Sequence, residues 1–371
     1  MSRNKKRWIV KAGSSLVAGG DLGINKSFIE NLVFQVNALL DRGIEVVIVS
    51  SGAVAKGMHE LGLKERPSTL HLLQASAALG QMGLINAYQK EFDKYNLKAA
   101  QVLISHDDIS DRKRYLNARR SLETLLELEV VPIINENDSV ATEEISFGDN
   151  DTLAGALSGL INADRFIMLT DQEGIFSEDP RKNSSAILLK EIDLDDPNLD
   201  LTKQLEGSSG LLGRGGMKTK IKASRIALNS GSETWVVDGR KDSTLIDIAD
   251  NRKVGTSIVS QRSQLQSRKT WISSLGLALG TIVIDSGAVE AINKEGSSLL
   301  AVGVVLVRGN FARGDLIICE DSAGLEVAKG LSNFSSEEIA LIKGLNTKQL
   351  LEKLDQVADG EIIHRNNLIL S

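Results

Sequence analysis

The sequence predicts an α/β fold with a mostly parallel central sheet over roughly its first 250 residues, followed by a small β-rich domain. Three observations carry that expectation. Short β-branched apolar runs are bounded by turn residues, helical periodicity separates them, and the texture of the chain changes near residue 250. At 371 residues the chain is long for one hydrophobic core, so two domains, or three, are expected from length alone.

The runs RWIVKAG, EVVIVSSG, VVPIINEND, RFIMLTDQEG and ETWVVDG read as buried strands. Phe28, Leu32, Val36, Leu39 and Leu40 mark one helical face ahead of the second run. Leu122, Leu125, Leu126 and Leu128 mark a more crowded one ahead of the third. Strand followed by helix, repeated, gives a sheet covered on both faces. Right-handed crossovers then gather the loops at strand carboxyl ends on one edge, where ligands bind.

Between Arg252 and Lys269 there are five basic residues and no acidic one, with many Ser and Gln, which is linker composition. Beyond it, short β-rich runs alternate with Gly and Asp turns, as expected of a curled, mainly antiparallel domain. A charged helical stretch is expected over 336–357, and the tail EIIHRNNLILS is expected to return as a strand. The expected domains are therefore 1–255, a linker at 256–275, and 276–371.

Composition removes several classes of function. A formal net charge of -6 argues against a protein built to coat nucleic acid. With Cys319 as the single cysteine, neither an intrachain disulfide nor a cysteine-based metal cluster can form. Arg3, Lys5, Lys6 and Arg7 are not followed by an apolar stretch of signal-peptide length, and nothing later approaches a spanning helix, so a cytoplasmic location without membrane contact is expected. There is no Walker A motif and no G-x-G-x-x-G after the first strand: Gly213, Gly215 and Gly216 precede Lys218 and Lys220 in the wrong order for a P-loop. His59, His71, His106 and His364 show no zinc-ligand spacing and read as local structural or solvated residues.

Glycine-rich stretches stand at strand ends and helix starts: SSGAV at 50–54, FGDNDTLAG at 147–155 and GLLGRGGMKTKIKAS at 210–224. Glycine lets backbone approach a ligand, and N–H groups opening a helix hold phosphate oxygens. Lys11, closing the first run, reads by itself as a solvated strand-end lysine. For phosphoryl transfer, however, Lys11 and Lys220 would suit as two point charges flanking the moving group, with Asp151 compensating their repulsion. By themselves Asp149, Asn150 and Asp151 read equally well as a turn and helix cap. Carboxylates near a nucleotide also imply Mg²⁺ completed by phosphate and water, with no protein residue assigned as a metal ligand.

Across almost its whole length the sequence resembles the glutamate 5-kinases, amino acid kinases joined to a carboxyl-terminal PUA domain. The resemblance is carried by VKAGSS, VSSGAVAKG, DRKRYLNARRSLETLL, VPIINENDSVATEEISFGDNDTLAG, LTDQEGIFSEDPR, GRGGMKTKIKAS, and GSSLLAVGV followed by GNFARGD. It implies a three-layer sandwich, the amino acid kinase fold, with a PUA domain after it. It also implies ATP with Mg²⁺ as cofactors, and transfer of the γ-phosphoryl group to the γ-carboxylate of L-glutamate as the first step of proline synthesis. Lys11 and Lys220 would sit on the transferring group, positioned by Asp151. Gly13, Ser14, Thr170, Asp171 and the stretch Arg214, Gly215, Gly216, Met217, Lys218, Thr219 and Lys220 would meet ATP, and Ser51, Gly52, Asp138 and Asn150 would meet glutamate. KAGSS is a mild departure, since many members carry Leu where Ala12 stands.

An ionised carboxylate attacks phosphorus without a general base, so no catalytic histidine is needed. The choice of acceptor stays open on the residues alone, because related scaffolds phosphorylate acetylglutamate, aspartate, carbamate or uridylate. The carboxylates of INENDSVAT suit a free α-ammonium better than an acetylated amine. The resemblance further implies feedback inhibition by proline, a reductase as transient partner for the labile product, and a homodimer or tetramer.

RNA binding by the PUA domain is disfavoured, since residues 277–371 carry 8 basic and 13 acidic side chains; Arg308 and Arg313 read as solvated. DRKRYLNAR at 111–119 reads as a helix approach with a solvated or interfacial face. Trp8, Trp235 and Trp271 read as packing residues, Met58, Met82 and Met168 as core filler, and Cys319 as buried and apolar.

Overall fold

The computed structural model describes residues 5–19, 23–140, 150–196, 199, 216–260, 264–273, 278–346, 349 and 360–371. The chain divides into two compact units, Lys5–Gln261 and a carboxyl-terminal unit described from Gln264 onward.

All five strands expected in the first unit form, as β1 (Arg7–Ala12), β2 (Glu45–Ser50), β4 (Val130–Glu136), β5 (Arg165–Thr170) and β9 (Glu233–Asp238). With β3 (Lys98–Ile104), β8 (Glu191–Asp193) and β10 (Thr256–Val259) they make an eight-stranded sheet in the order β3-β4-β2-β1-β5-β9-β10-β8. β6 (Ile175–Phe176) and β7 (Leu188–Leu189) form a separate two-stranded ribbon, tied to β10 through the Thr256 hydroxyl. From β3 to β9 every neighbouring pair is parallel, and β10 turns antiparallel to β9. Central strands are apolar on both faces because helices cover both. β1, for example, is buried at all six positions.

Register aligns the carboxyl ends of the central strands. Ala12 pairs with Ser50 on one side and Leu169 on the other, and Thr170 pairs with Asp238. From β1 the chain winds outward through β2 on one side, while β5 lies on its other side. The order therefore reverses at β1, and a crevice opens there.

Helix α1 (Ser14–Val17) follows β1 directly, and α2 (Lys26–Leu40) starts at Asn25, whose side chain accepts from the Phe28 N–H. The expected face of α2 packs on the sheet, with Phe28, Leu32, Val36 and Leu39 buried and Leu40 partly so. Helices α3 (Ala53–Glu60) and α4 (Leu70–Asp93) touch backbone to backbone. A Cβ on Gly57 would strike the Ser76 carbonyl, and one on Gly80 would strike the Ala53 carbonyl. After α5 (His106–Ser110), α6 (Arg112–Glu127) is capped by Asp111. The segment read as a helix approach is thus its opening turns.

Three side chains differ from expectation. Leu128 is 66% exposed because it closes α6 instead of extending its face. Met82 is 65% exposed on α4. Arg119 is buried and paired with Glu123 at 3.0 Å.

The stretch expected as linker is more structured than its composition suggests. Thr256–Val259 is a strand of the main sheet, held because Thr256, Ser257 and Ile258 pair with β9, and Gln264–Ser273 is helical. In the carboxyl-terminal unit, β11 (Gly280–Ile284), β13 (Val304–Gly309), β14 (Leu316–Glu320), β15 (Glu326–Leu331) and β17 (Leu368–Leu370) form a sheet ordered β13-β11-β14-β15-β17. It is antiparallel except at β11–β14. β12 (Leu299–Leu300) pairs with β16 (Glu361–Ile363), so the tail returns as two short strands. Of the helical stretch expected over 336–357, Ser336–Ile342 is helical, capped by Ser335 and Glu338, and most of the remainder lies outside the described residues. Cys319 is buried here, and burial pushes its thiol up to about 12. Arg308 and Arg313 are engaged, Arg308 with Glu320 at 3.3 Å and Arg313 with the Asn333 carbonyl and the Phe334 ring.

Candidate active site

Lys11 lies at the carboxyl end of the most buried part of the sheet, and its side chain is only 7% exposed. A buried ammonium needs a partner, because desolvation otherwise costs several kcal/mol or forces the charge off. The partner is Asp151, 140 residues away in sequence, with Oδ1 at 2.5 Å from the lysine Nζ. Its other oxygen, Oδ2, takes Lys220 at 3.0 Å and the Thr219 hydroxyl at 2.9 Å.

Two helices bring these groups together. α7 (Asn150–Leu160) is buried along nearly its whole length, and Gly155 admits the backbone of Ala223 on α8 (Met217–Asn229). One turn back from that contact stand Asp151 on α7 and Lys220 on α8, which share the contacting face by helical periodicity. Burial by itself would raise the Asp151 carboxyl. The two lysine charges and their hydrogen bonds outweigh it and hold the group well below the usual carboxylate range. The result is one anion between two cations, one net positive charge, at the sheet edge.

Beside this triad runs a chain of buried polar side chains. Asn150, next to Asp151, donates from Nδ2 to Ser51 Oγ at 3.1 Å and to Asn135 Oδ1 at 2.9 Å. Asn135 in turn donates to Gln81 Oε1 at 2.8 Å. Gly52 opens α3 at φ +109, and a Cβ there would stand 2.8 Å from Val17 Cγ1, so only glycine fits after Ser51. A cleft of about 440 Å³ is lined by Gln81, Met82, Leu103, Glu136 and Asp138 among others. Asp138 is buried there, and burial, then the nearby Glu136 charge, push its carboxyl up to about 7 against a weaker pull from Arg66. In and beside this cleft, three buried polar atoms have no hydrogen-bond partner among the described residues: Asp138 Oδ1, Asn150 Oδ1 and Gln81 Nε2.

The sequence pattern of the Amino acid kinase family matches residues 6–238, and that of the PUA domain matches residues 280–354. The curated relative "Glutamate 5-kinase" of Pseudomonas savastanoi pv. phaseolicola is 48% identical over 365 residues, covering 98% of this chain and 99% of that protein. The protein of the same name from Saccharophagus degradans is 46% identical over 368 residues, covering 99% of this chain and 98% of that one. The chain belongs to the amino acid kinase family, among the glutamate 5-kinases. Among solved structures it is similar to a UMP kinase from Bacillus anthracis, with a TM-score of 0.48 and 17% identity over 69% of this chain and 97% of that one.

In this amino acid kinase fold the remaining expected residues that the structure describes lie at the same edge. Gly13 caps α1, and a Cβ there would lie 3.4 Å from the Leu169 carbonyl and 3.8 Å from Lys11 Nζ. Ser14 opens α1 and is partly exposed. Thr170 ends β5 and donates to Asp171 Oδ1 at 3.2 Å. Gly216, Met217, Lys218 and Thr219 form the start of α8, while Arg214, Gly215 and Asp149 lie outside the described residues. Asn135 and Gln81 were not singled out from the sequence. Asn135 carries a faint signal, a polar residue closing the apolar run VVPII; Gln81, within a helix of small residues, carries none.

Proposed function

We propose that this chain transfers the γ-phosphoryl group of ATP to the γ-carboxylate of L-glutamate, yielding L-glutamyl 5-phosphate and ADP. The observation that carries the proposal is the buried Lys11–Asp151–Lys220 array at the sheet edge. A carboxylate oxygen of glutamate attacks the γ-phosphorus as the bond to the β-γ bridging oxygen breaks, and the charge leaves with ADP. Lys11 and Lys220 neutralise the equatorial oxygens in a water-poor site, and Asp151 is the positioning residue that keeps both lysines there. The acceptor is already ionised, so no base is required.

On the donor side, the exposed N–H groups opening α8 after Gly216 suit phosphate, with Met217, Lys218 and Thr219 beside them and Arg214 and Gly215 just before. Gly13 and Ser14 bring backbone to the phosphates, and Thr170 and Asp171 face the nucleotide. Among the described residues no group of three or more His, Cys, Asp or Glu could hold a metal ion alone. Mg²⁺ carried by the ATP phosphates and water needs no such group, and it would add charge neutralisation.

On the acceptor side, Asp138 and the Asn150 oxygen receive the α-ammonium, while Ser51 and the Gly52 backbone receive the α-carboxylate. The two unpaired acceptors support this reading, since they are costly until a donor arrives. Proline, a cyclic relative of the substrate, would compete at 138–150 as feedback inhibitor. The acyl phosphate is labile, so a reductase is the expected recipient, and the whole serves the first step of proline synthesis.

Among the described residues no helix is long and apolar enough to cross a membrane, and a cytoplasmic location is part of the proposal. A dimer or tetramer is also proposed, with exposed Leu79, Met82 and Leu103 as apolar positions a second copy would cover. The domains are proposed to divide the work, the amino-terminal one binding ATP and glutamate, and the PUA domain adding no RNA binding.

The test is hydroxylamine trapping of the acyl phosphate by purified protein with ATP, Mg²⁺ and L-glutamate, beside arms with acetylglutamate and aspartate. Glutamate-dependent hydroxamate, suppressed by proline, is expected. Turnover with another acceptor alone would move the pocket assignment, and none with any acceptor would end the kinase reading.

A further inference from the structure

The amide chain has a direction, and the direction has chemical consequences. As it stands, Asn150 spends its Nδ2 on Ser51 and Asn135, so its Oδ1 is left as an unpaired acceptor. Ser51 Oγ accepts from Asn150, which leaves the hydroxyl proton to donate. The pair therefore offers an acceptor and a donor side by side. This matches a zwitterion with ammonium at Asn150 and carboxylate at Ser51. Reversing every amide would preserve the chain's own hydrogen bonds yet invert that offer, placing a donor where the ammonium belongs.

The far end of the chain breaks this degeneracy. Gln81 accepts from Asn135 through Oε1, and its Nε2 is buried and unpaired. Gln81 shares its cleft with the carboxylates of Glu136 and Asp138, whose field favours an amide nitrogen over an amide oxygen. Its backbone is fixed as well. Gly80, the preceding residue, packs against the Ala53 carbonyl, and Ala53 follows the Ser51–Gly52 turn directly.

We infer that Gln81 is a positioning residue for the amino acid: through Asn135 it orients the Asn150 amide so that its oxygen, and the Ser51 hydroxyl, face a free α-amino acid in one orientation. The inference rests on the proposed glutamate kinase reading and adds how the site prefers an unmodified ammonium. Among the described residues the hydrogen bond of Gln81 goes to Asn135 and not to Lys11 or Lys220, so its effect falls on amino acid binding.

The experiment compares wild type with Gln81→Met and Gln81→Glu by hydroxamate kinetics. Methionine conserves volume but cannot accept from Asn135. Ionised glutamate accepts from it and cannot donate, so assays at pH 8 and above permit only the polarity described. Gln81→Met is expected to raise KM for L-glutamate about 10-fold, the weight of one buried hydrogen bond, with kcat and KM for ATP within about 2-fold. Gln81→Glu is expected to keep KM for glutamate within about 3-fold of wild type. Unchanged KM in Gln81→Met overturns the inference, as does an equal rise in both variants. Should Gln81→Met fail to fold, Gln81→Glu decides alone, a 10-fold rise overturning the inference and a retained KM supporting it. Absence of glutamate turnover in wild type refutes the kinase reading and the inference with it; wild-type turnover beside an unaffected Gln81→Met refutes the inference alone.

Discussion

Replacing Asp151 by asparagine removes one charge and almost no volume. With ion-pair distances of 2.5 and 3.0 Å, each lysine is attracted by about 6 kcal/mol at an effective dielectric near 20. Much of that attraction offsets the cost of burying the three charges. The net loss on removing the shared partner is therefore about 3–5 kcal/mol, the usual range for a broken buried pair. The two ammonium groups then repel each other, leave their positions or lose protons. We expect Asp151→Asn to lower kcat about 10²–10³-fold and to lower the melting temperature measured by circular dichroism. Adding Lys11→Met should restore part of the stability, since one unpaired cation is removed, while restoring no activity. Such non-additivity marks residues acting as one unit. Full activity in folded Asp151→Asn, or purely additive stability losses, would refute the positioning role.

Asp138 yields a pH prediction. Burial, with the nearby Glu136 charge, pushes its carboxyl from the ordinary 3.8 up to about 7, so the native protein holds the extra proton between those values. The penalty for ionising it is present in full above pH 7 and fades as pH falls toward 4, so this group makes stability rise on acidification through that window. An ammonium arriving at Asp138 expels the proton; calorimetry at pH 7 in buffers of different ionisation enthalpy should show release of about half a proton per glutamate bound, and zero release would remove Asp138 from the ammonium site. Gly80→Ala should destabilise by roughly 3 kcal/mol or more in urea titration, because its Cβ would enter the Ala53 carbonyl, and a loss under 1 kcal/mol would contradict the α3–α4 contact. Cys319, with its thiol pushed up to about 12 by burial, should resist disulfide-exchange reagents at pH 8 until the carboxyl-terminal domain unfolds, and rapid labelling of native protein would contradict its burial.

What the sequence reveals follows burial. β2 and β5 are covered on both faces, so EVVIVS and RFIMLT stand out as continuous apolar runs. β3 is an edge strand whose residues are mostly exposed or half-buried, and KAAQVLI accordingly lacks both a run and a clear alternation. β10 hides in polar, basic surroundings because a four-residue strand held by three pairings to β9 needs little hydrophobicity of its own. In the site, the lysines and Asp151 are visible as motif residues, but their pairing depends on sheet register and the Gly155–Ala223 contact, which no local pattern reports. Gln81 is the extreme case: its role depends on a hydrogen bond from Asn135 and, through Asn135, on Asn150, which lie 54 and 69 positions further along the chain.

The two halves of the site meet at consecutive residues. Asn150 ends the amide chain that reaches from Gln81, and Asp151 anchors the lysines. Adjacent Cα atoms are about 3.8 Å apart, so both groups hang from one short stretch of backbone. On the proposed reading, one turn of α7 thus carries a residue of the amino acid side and a residue of the phosphoryl side of the site. Because α7 is buried along nearly its whole length, close packing leaves it little room to shift, and Asn150 and Asp151 keep a fixed spacing.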